Sequence, residues 1–172
     1  DLIARSARIT PHHAPCYSNL GNAQRALGQL DEAMASYRRA IELNPDFADA
    51  HLNLGNALQQ QGRFEEAIRS HRRALELAPG FADGHYNLGN VLLAMGRFEE
   101  ARECFERSLA IRPGHAPSLN GLGIVWQSIG QVEEALRCYQ AALAADPDYA
   151  EAHNNVGFVR AAQFRHDEAI ES

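Results

Sequence analysis

A 34-residue internal repeat constrains this chain more than any other feature of its sequence. The segment that begins at Tyr17, Tyr-Ser-Asn-Leu-Gly-Asn, returns in related form at residues 51, 85, 119 and 153. We call residues that recur every 34 positions a column. Three further columns keep this register: Gly28, Gly62, Gly96 and Gly130; Ala33, Ala67, Ala101, Ala135 and Ala169; Pro11, Pro45, Pro79, Pro113 and Pro147. A fixed period of this size is typical of stacked supersecondary units that share one continuous core.

The register divides the chain into four complete units with a part of a unit at each end. The complete units are 14–47, 48–81, 82–115 and 116–149, and the parts are 1–13 and 150–172. Both ends fall inside the second helix of a unit, and neither carries the polar cap that a terminal repeat needs. We therefore expect a single array cut from a longer one, whose apolar ends support head-to-tail self-association.

Each unit is predicted to form two helices. In the second unit, Leu54 and Leu58 recur at helical spacing, and Gly62 then ends the helix in a left-handed conformation. The next helix begins near Phe64 and ends before Pro79, because proline restricts the residue ahead of it. No strand pattern competes, so the fold class is all-α. In the last unit Phe164 replaces the turn glycine.

Small residues mark the contact that we predict between the two helices of a unit. Gly55 on the first helix and Ala67 on the second are expected to lie where the backbones approach most closely. The second helix then carries Ile68, His71 and Ala74 on the face that packs inward.

The composition excludes several classes of function. The net charge of −6 argues against nucleic-acid or anionic-membrane partners. All 16 basic residues are arginine, so no Schiff-base or phosphate-binding lysine is available. No signal segment or membrane-spanning stretch is present. Three cysteines indicate a reducing, cytoplasmic compartment, and the lysine-free, alanine-rich usage suggests a high-GC bacterial source.

Paired acids recur where each second helix is predicted to start. The pairs are Asp31-Glu32, Glu65-Glu66, Glu99-Glu100, Glu133-Glu134 and Asp167-Glu168. Adjacent helical residues do not face each other, so these pairs are not catalytic dyads. Carboxylates in a first turn instead complement the positive end of the helix. Arginines such as Arg38 and Arg73 come later and are expected to complement the opposite end.

The histidines and cysteines do not form a predicted site. His51, His85 and His153 share one column, but successive members are a whole repeat apart, too far to bind one zinc ion. Cys104 and Cys138 are separated by the same step, which exceeds the reach of a disulfide. We predict no metal, no cofactor and no catalytic residue.

The repeated residues resemble the consensus of a known repeat family. The pattern aromatic-x-x-Leu-Gly, then Ala-x-x-x-aromatic, then Pro at a 34-residue period resembles the tetratricopeptide repeat. The resemblance implies helix-turn-helix units in a right-handed superhelix, an α-α solenoid whose concave face binds extended peptides. This sequence departs from the family pattern at the first large position, where histidine or leucine stands in place of tryptophan.

Asparagine columns on the first helices are the one pattern with a functional signal. One column holds Asn19, Asn53, Asn87 and Asn155, and a second, three residues on, holds Asn22, Asn56 and Asn90. Asparagine is a mediocre helix former, and its amide both donates and accepts hydrogen bonds, as a peptide group does. The alternative is that these amides bond to the neighbouring repeat. We favour ligand binding for the first column and leave both readings open for the second.

The asparagine columns also resemble the repeats of O-linked N-acetylglucosamine transferase and its bacterial relatives. In that family an asparagine ladder holds the backbone of protein substrates, which implies the same role for the first column here. The resemblance is interrupted in the fourth unit by Gly121 and Ile124. Nearby first-helix residues would supply side-chain preference: Tyr86, Asn120, Asn154, Gln59, Leu93 and Gln127.

The sequence therefore predicts a protein- or peptide-binding module without chemistry of its own. One alternative is the substrate-recruiting fragment of a larger glycosyl- or sulfotransferase. The other is a self-assembling scaffold, in which the groove or the ends bind further copies of the chain.

Overall fold

The computed structural model describes the backbone of residues 13–171 and the side chains of residues 13–162. Over this range the chain is all-α, with no strand, and its helices run in pairs. The helices are α1 (Ala14–Ala26), α2 (Leu30–Leu43), α3 (Ala48–Gln60), α4 (Phe64–Leu77), α5 (Ala82–Ala94), α6 (Phe98–Ile111), α7 (Ala116–Ser128), α8 (Val132–Ala145) and α9 (Ala150–Glu171). The predicted fold class agrees with this order.

Two compact units divide the chain, residues 1–91 and residues 92–172. No helix in the described part of the chain combines the length and the apolar character that crossing a membrane would require. The predicted part-unit at 1–13 lies, apart from His13, outside the described residues.

The turn inside each hairpin depends on a glycine in the left-handed region. Gly28, Gly62, Gly96 and Gly130 have φ values between +71° and +80°. At Gly62 the amide of the following Arg63 donates to the carbonyl of Leu58 at 2.9 Å, the six-residue closure of a Schellman motif. The predicted helix stop at this glycine is confirmed.

A glycine facing an aromatic ring sets the distance between the two helices of a hairpin. A Cβ added to Gly55 would lie 2.6 Å from Cε1 of the His71 ring, and the same clash would arise between Gly123 and Tyr139. Gly55 therefore lies at a close approach between the helices, as predicted, and the group it meets is the His71 ring. Ala67 is completely buried.

The core between successive hairpins is built from alanines at a repeating position. Ala14, Ala40 and Ala50 form one such cluster, into which Tyr17 and Phe47 also pack. The same three positions recur 102 residues later: Ala116, Ala142 and Ala152. Three periods therefore reproduce the same layer with the same small residues.

The acid pairs lie in the first turns of α2, α4, α6 and α8, as predicted. The arginines depart from the prediction, because no basic residue lies in the last turn of any of these helices. Arg39 instead pairs with Glu42 at 2.7 Å, and Arg73 pairs with Asp46 at 2.9 Å. These cations contact neighbouring side chains rather than the negative helix end.

The prediction that the chain ends in a second helix of the last unit is wrong, because α9 is one continuous helix over Ala150–Glu171. Phe164 stands where earlier units have glycine, and a residue with a Cβ does not readily take the positive φ of that turn. The pair Asp167-Glu168 therefore lies within α9 rather than at a helix start, and its side chains, like that of Ala169, are outside the described range.

We expect Gly62→Ala to lower the free energy of unfolding by roughly 1–2 kcal/mol, the cost of a left-handed conformation in an L-residue. Gly80→Ala is the matched control, because Gly80 has no positive φ and no atom within 4 Å of an added Cβ. Urea unfolding of both variants measures the difference. Equal effects of the two substitutions would show that the turn does not depend on the left-handed glycine.

His71 should make the fold sensitive to acid. Its ring is completely buried, neither nitrogen has a hydrogen-bond partner among the described residues, and burial lowers its pKa to about 4. The unfolded chain therefore takes up the proton first, so stability is complete above about pH 6.5 and falls as the pH drops towards 4. By pH 4.5 the loss due to this residue is roughly 2–3 kcal/mol.

The variant His71→Phe tests this dependence, since Phe105 fills the equivalent buried position in the next unit. Urea unfolding at pH 7 and pH 4.5 should show a smaller loss for the variant than for the wild type. If both proteins lose the same stability on acidification, His71 is not the responsible group.

Candidate functional site

The first asparagine column lies on the first helices, on a surface that we call the asparagine face. It is defined by Asn19 on α1, Asn53 on α3 and Asn87 on α5. Asn19 is exposed, and Asn53 and Asn87 are half-buried. Each side chain begins from rigid helical backbone, so its direction is fixed by the hairpin rather than by a loop.

The amides of the asparagine face are not used within the part of the chain that the structure describes. In the described residues no hydrogen bond or ion pair is formed by the side chain of Asn19, Asn53 or Asn87. The adjacent Asn56 is half-buried and equally uncommitted. These side chains can therefore donate and accept towards an external group without first breaking an internal bond.

Other amides on the first helices hold the hairpins together. The hydroxyl of Tyr37 donates to Oδ1 of Asn22 at 2.9 Å, and the hydroxyl of Tyr139 donates to Oε1 of Gln127 at 2.6 Å. Both bonds join the first helix of a hairpin to the second. Asn22 and Gln127, which the sequence placed among the candidate binding residues, therefore have their carbonyl oxygens engaged inside their own hairpins.

The hydrogen bond between Asn155 and Asn120 joins the first helix of one hairpin, α7, to the continuous helix α9 that follows it. Nδ2 of Asn155 on α9 donates to Oδ1 of Asn120 on α7 at 2.9 Å, and Asn120 is only 6% exposed. This is the inter-repeat bond that was the alternative to ligand binding. In residues 92–171 the amides are thus used at least partly for packing between repeats.

The remaining candidate residues occupy the first helices with differing exposure. Asn154 is exposed, whereas the other four are half-buried: Asn90, Tyr86, Gln59 and Leu93. Sequence reasoning missed Gln24, whose Oε1 accepts from the Ser36 hydroxyl at 2.6 Å and gives the first hairpin a second polar link. A signal was available, because Gln24 and Ser36 have the same 12-residue separation as Gln127 and Tyr139.

The histidine column has a structural role beyond filling the large position. Nε2 of His51 lies 2.9 Å from the carbonyl oxygen of Pro45, and His153 makes the same contact with Pro147 at 2.8 Å. His85 and Pro79 repeat it at 3.1 Å. Since a carbonyl only accepts, Nε2 carries the proton and donates. Each histidine thereby fastens the loop that precedes its helix.

None of the three cysteines forms a disulfide among the described residues. Burial, aided by Glu134, raises the pKa of Cys138 to about 11, and burial raises the pKa of its neighbour Tyr139 to about 12. A thiol held protonated at neutral pH is a poor nucleophile and a poor metal ligand. No group of three or more histidine, cysteine or acidic side chains with metal-binding geometry occurs in the described part of the chain.

Family models match most of the chain, in agreement with the hairpin geometry. TPR-repeat models match residues 21–62 and 55–96, and tetratricopeptide-repeat models match residues 80–148 and 127–172. The chain belongs to the tetratricopeptide repeat family. No protein of curated function matches the sequence.

Solved structures of other tetratricopeptide repeat proteins share the fold. MamA is 26% identical with a TM-score of 0.78, over 87% of each chain. YrrB, described as a TPR protein with an unusual peptide-binding site, is 24% identical with a TM-score of 0.78, over 99% of this chain and 88% of its own. PilF of Pseudomonas aeruginosa is 21% identical with a TM-score of 0.81, over 92% of this chain and 72% of its own.

Alanine substitutions should separate the packing amides from the unused ones. We expect Asn155→Ala to lower the free energy of unfolding by about 1–2 kcal/mol, because the buried Oδ1 of Asn120 loses its donor. Asn87→Ala, the matched control, should be neutral or slightly stabilising, since alanine is the better helix former by up to about 0.7 kcal/mol. Chemical unfolding measures both, and a destabilised Asn87→Ala would mean that this amide also serves packing.

Proposed function

We propose that the chain is a protein-interaction module that holds an extended peptide along the asparagine face. The observation that carries this proposal is the uncommitted state of Asn53 and Asn87, on successive first helices, among the described residues. An amide that serves neither helix formation nor packing is explained by an external partner.

The chemistry of the side-chain amide suits a backbone ligand. Its oxygen accepts from a peptide N–H and its NH₂ donates to a peptide carbonyl, so recognition does not depend on the ligand's side chains. Helices packed about 8–10 Å apart would meet an extended chain about every third residue, at roughly 3.3 Å per residue. The affinity contributed by each peptide residue should be small, because both groups are hydrated before they bind.

Asn19, Asn53 and Asn87 are the proposed binding stretch, since all three lie in residues 13–91. In the unit at 92–172, Asn155 keeps Oδ1 and its second amide hydrogen available, because one hydrogen is donated to Asn120. The half-buried Gln59 and Tyr86, on the same helices, would supply preference for particular side chains.

The comparisons support this proposal at the level of the family. YrrB is a TPR protein with a peptide-binding site, and its likeness to this chain extends over nearly the whole sequence. A recruiting arm of a larger transferase would use the same face, so the binding test below applies to either reading.

Replacing Asn53 and Asn87 together with alanine should weaken peptide binding at least about tenfold, since each lost hydrogen bond is worth about 1 kcal/mol. The probe is a peptide selected from a random displayed library on the immobilised wild-type chain, and calorimetry gives its Kd. The matched control is Gln29→Ala with Gln140→Ala, which removes two exposed amides outside the first helices. Circular dichroism checks that both double variants remain folded.

Backbone recognition predicts a second outcome with the same peptide. N-methylation at every third residue should weaken binding to the wild type, but should add little to the loss already caused by the double asparagine variant. Equal affinity of the wild type and the double asparagine variant for the unmethylated peptide would contradict the proposal.

A further inference from the structure

A groove between two second helices is not explained by the asparagine face. It lies between α2 and α4, with α3 as its floor, and has a volume of about 460 Å³. Arg38 from α2 and Arg69 and Arg73 from α4 line its walls, and the apolar side chains of Ile41 and Leu54 line it as well. All of these residues belong to the unit at 1–91.

Two of the three arginines have positive charge that the chain does not match. Glu42, the acid in the groove wall, pairs with Arg39 at 2.7 Å, and Arg73 pairs with Asp46 and Glu76. Among the described residues Arg38 and Arg69, both exposed, form no ion pair.

Glu66, an acid on which these two arginines act through space, is already bound by a third arginine. Arg63 donates two hydrogen bonds of 2.8 Å to the Glu66 carboxylate. That contact is the main reason for the lowered pKa of Glu66, with Arg69 and Arg38 adding a weaker effect through space. The charges of Arg38 and Arg69 therefore remain directed at the groove and at solvent.

The repeat does not require arginine at these positions. Two periods further along the chain, the positions of Arg38, Arg69 and Arg73 are occupied by Glu106, Arg137 and Ala141. Arg137 is moreover paired with Glu134 at 2.9 Å. Since a later hairpin of the same fold carries Glu106 and Ala141 at two of these positions, the fold does not require all three arginines of the groove.

We propose that this groove binds an acidic peptide segment of a second partner, independently of the asparagine face. The carboxylates of the peptide pair with Arg38 and Arg69. An apolar side chain of the peptide, between those carboxylates, packs on Ile41 and the edge of Leu54. The planar guanidinium group suits a carboxylate because it can donate two parallel hydrogen bonds. The volume falls within the range of about 300–1,000 Å³ that is usual for ligand clefts.

The test measures fluorescence anisotropy of a labelled peptide of repeating Asp-Glu-Leu sequence with the full chain. We expect saturable binding at low salt that weakens as salt is raised. Arg38→Ala with Arg69→Ala should weaken it about tenfold, because both charge-assisted hydrogen bonds are lost. Ile41→Ser should also weaken it, without a change of charge, whereas a repeating Arg-Leu peptide should not bind the groove.

The matched control is Arg72→Ala with Arg107→Ala, which removes the same charge from exposed positions on second helices outside the groove. It should keep the affinity within about twofold of the wild type, since exposed charges at a distance contribute little. Asn53→Ala with Asn87→Ala should leave acidic-peptide binding unchanged even if it abolishes binding at the asparagine face. Absence of saturable binding, equal losses in the two arginine pairs, or loss in the asparagine variant would each overturn the proposal.

Discussion

The contact between a glycine on the first helix and a ring on the second determines the geometry of three of the hairpins. At Gly21 and Tyr37, at Gly55 and His71, and at Gly123 and Tyr139, the missing Cβ leaves the space that the ring occupies. Glycine inside a helix costs about 1 kcal/mol relative to alanine. Burying a complete ring against the opposite helix offsets that cost. One side of each of these first helices is thereby used for packing. The side that carries the asparagines stays outside this contact.

The identity of the buried ring decides whether a nearby amide stays available. Tyr37 has a hydroxyl, which reaches across the hairpin and engages Asn22. His71 fills the same position one repeat later without a hydroxyl, and Asn56, the counterpart of Asn22, forms no bond among the described residues. Core and surface are therefore coupled: tyrosine at the ring position strengthens the hairpin, whereas histidine leaves one more amide for a ligand.

The elements that follow from local rules could be predicted from the sequence, and those that depend on contacts between different columns could not. Gly62 ends a helix because of its own backbone freedom, so its role can be read from one position. Asn155 and Asn120 are 35 residues apart, not 34, so their bond joins two different columns. A comparison of residues exactly 34 positions apart does not detect a pair that joins two different columns. Such a pair forms only where the side chains of two helices are long enough to meet.

The arginines show a second limit of periodic reasoning. Considered along one helix, Arg38 and Arg73 suggest a charge at the negative helix end, which would act within a single element. Their neighbours include groups of other elements, since Arg73 pairs with Asp46 in the loop after α2 as well as with Glu76 on its own helix, and the groove floor belongs to α3. These contacts decide which arginine remains without an acidic partner. The 34-residue period of the sequence does not reveal them.

The two proposed binding surfaces differ in symmetry, and that difference indicates what each one can recognise. The asparagine face repeats the same amide at every first helix of residues 13–91, which matches a ligand that is itself periodic, the extended peptide backbone. The groove lined by Arg38, Arg69 and Arg73 does not recur unchanged, because Glu106 and Ala141 replace two of its arginines two periods later. Such an arrangement of charges around an apolar floor selects a particular set of side chains. A repeat protein that carries both kinds of surface can hold one partner by its backbone and select another by its sequence.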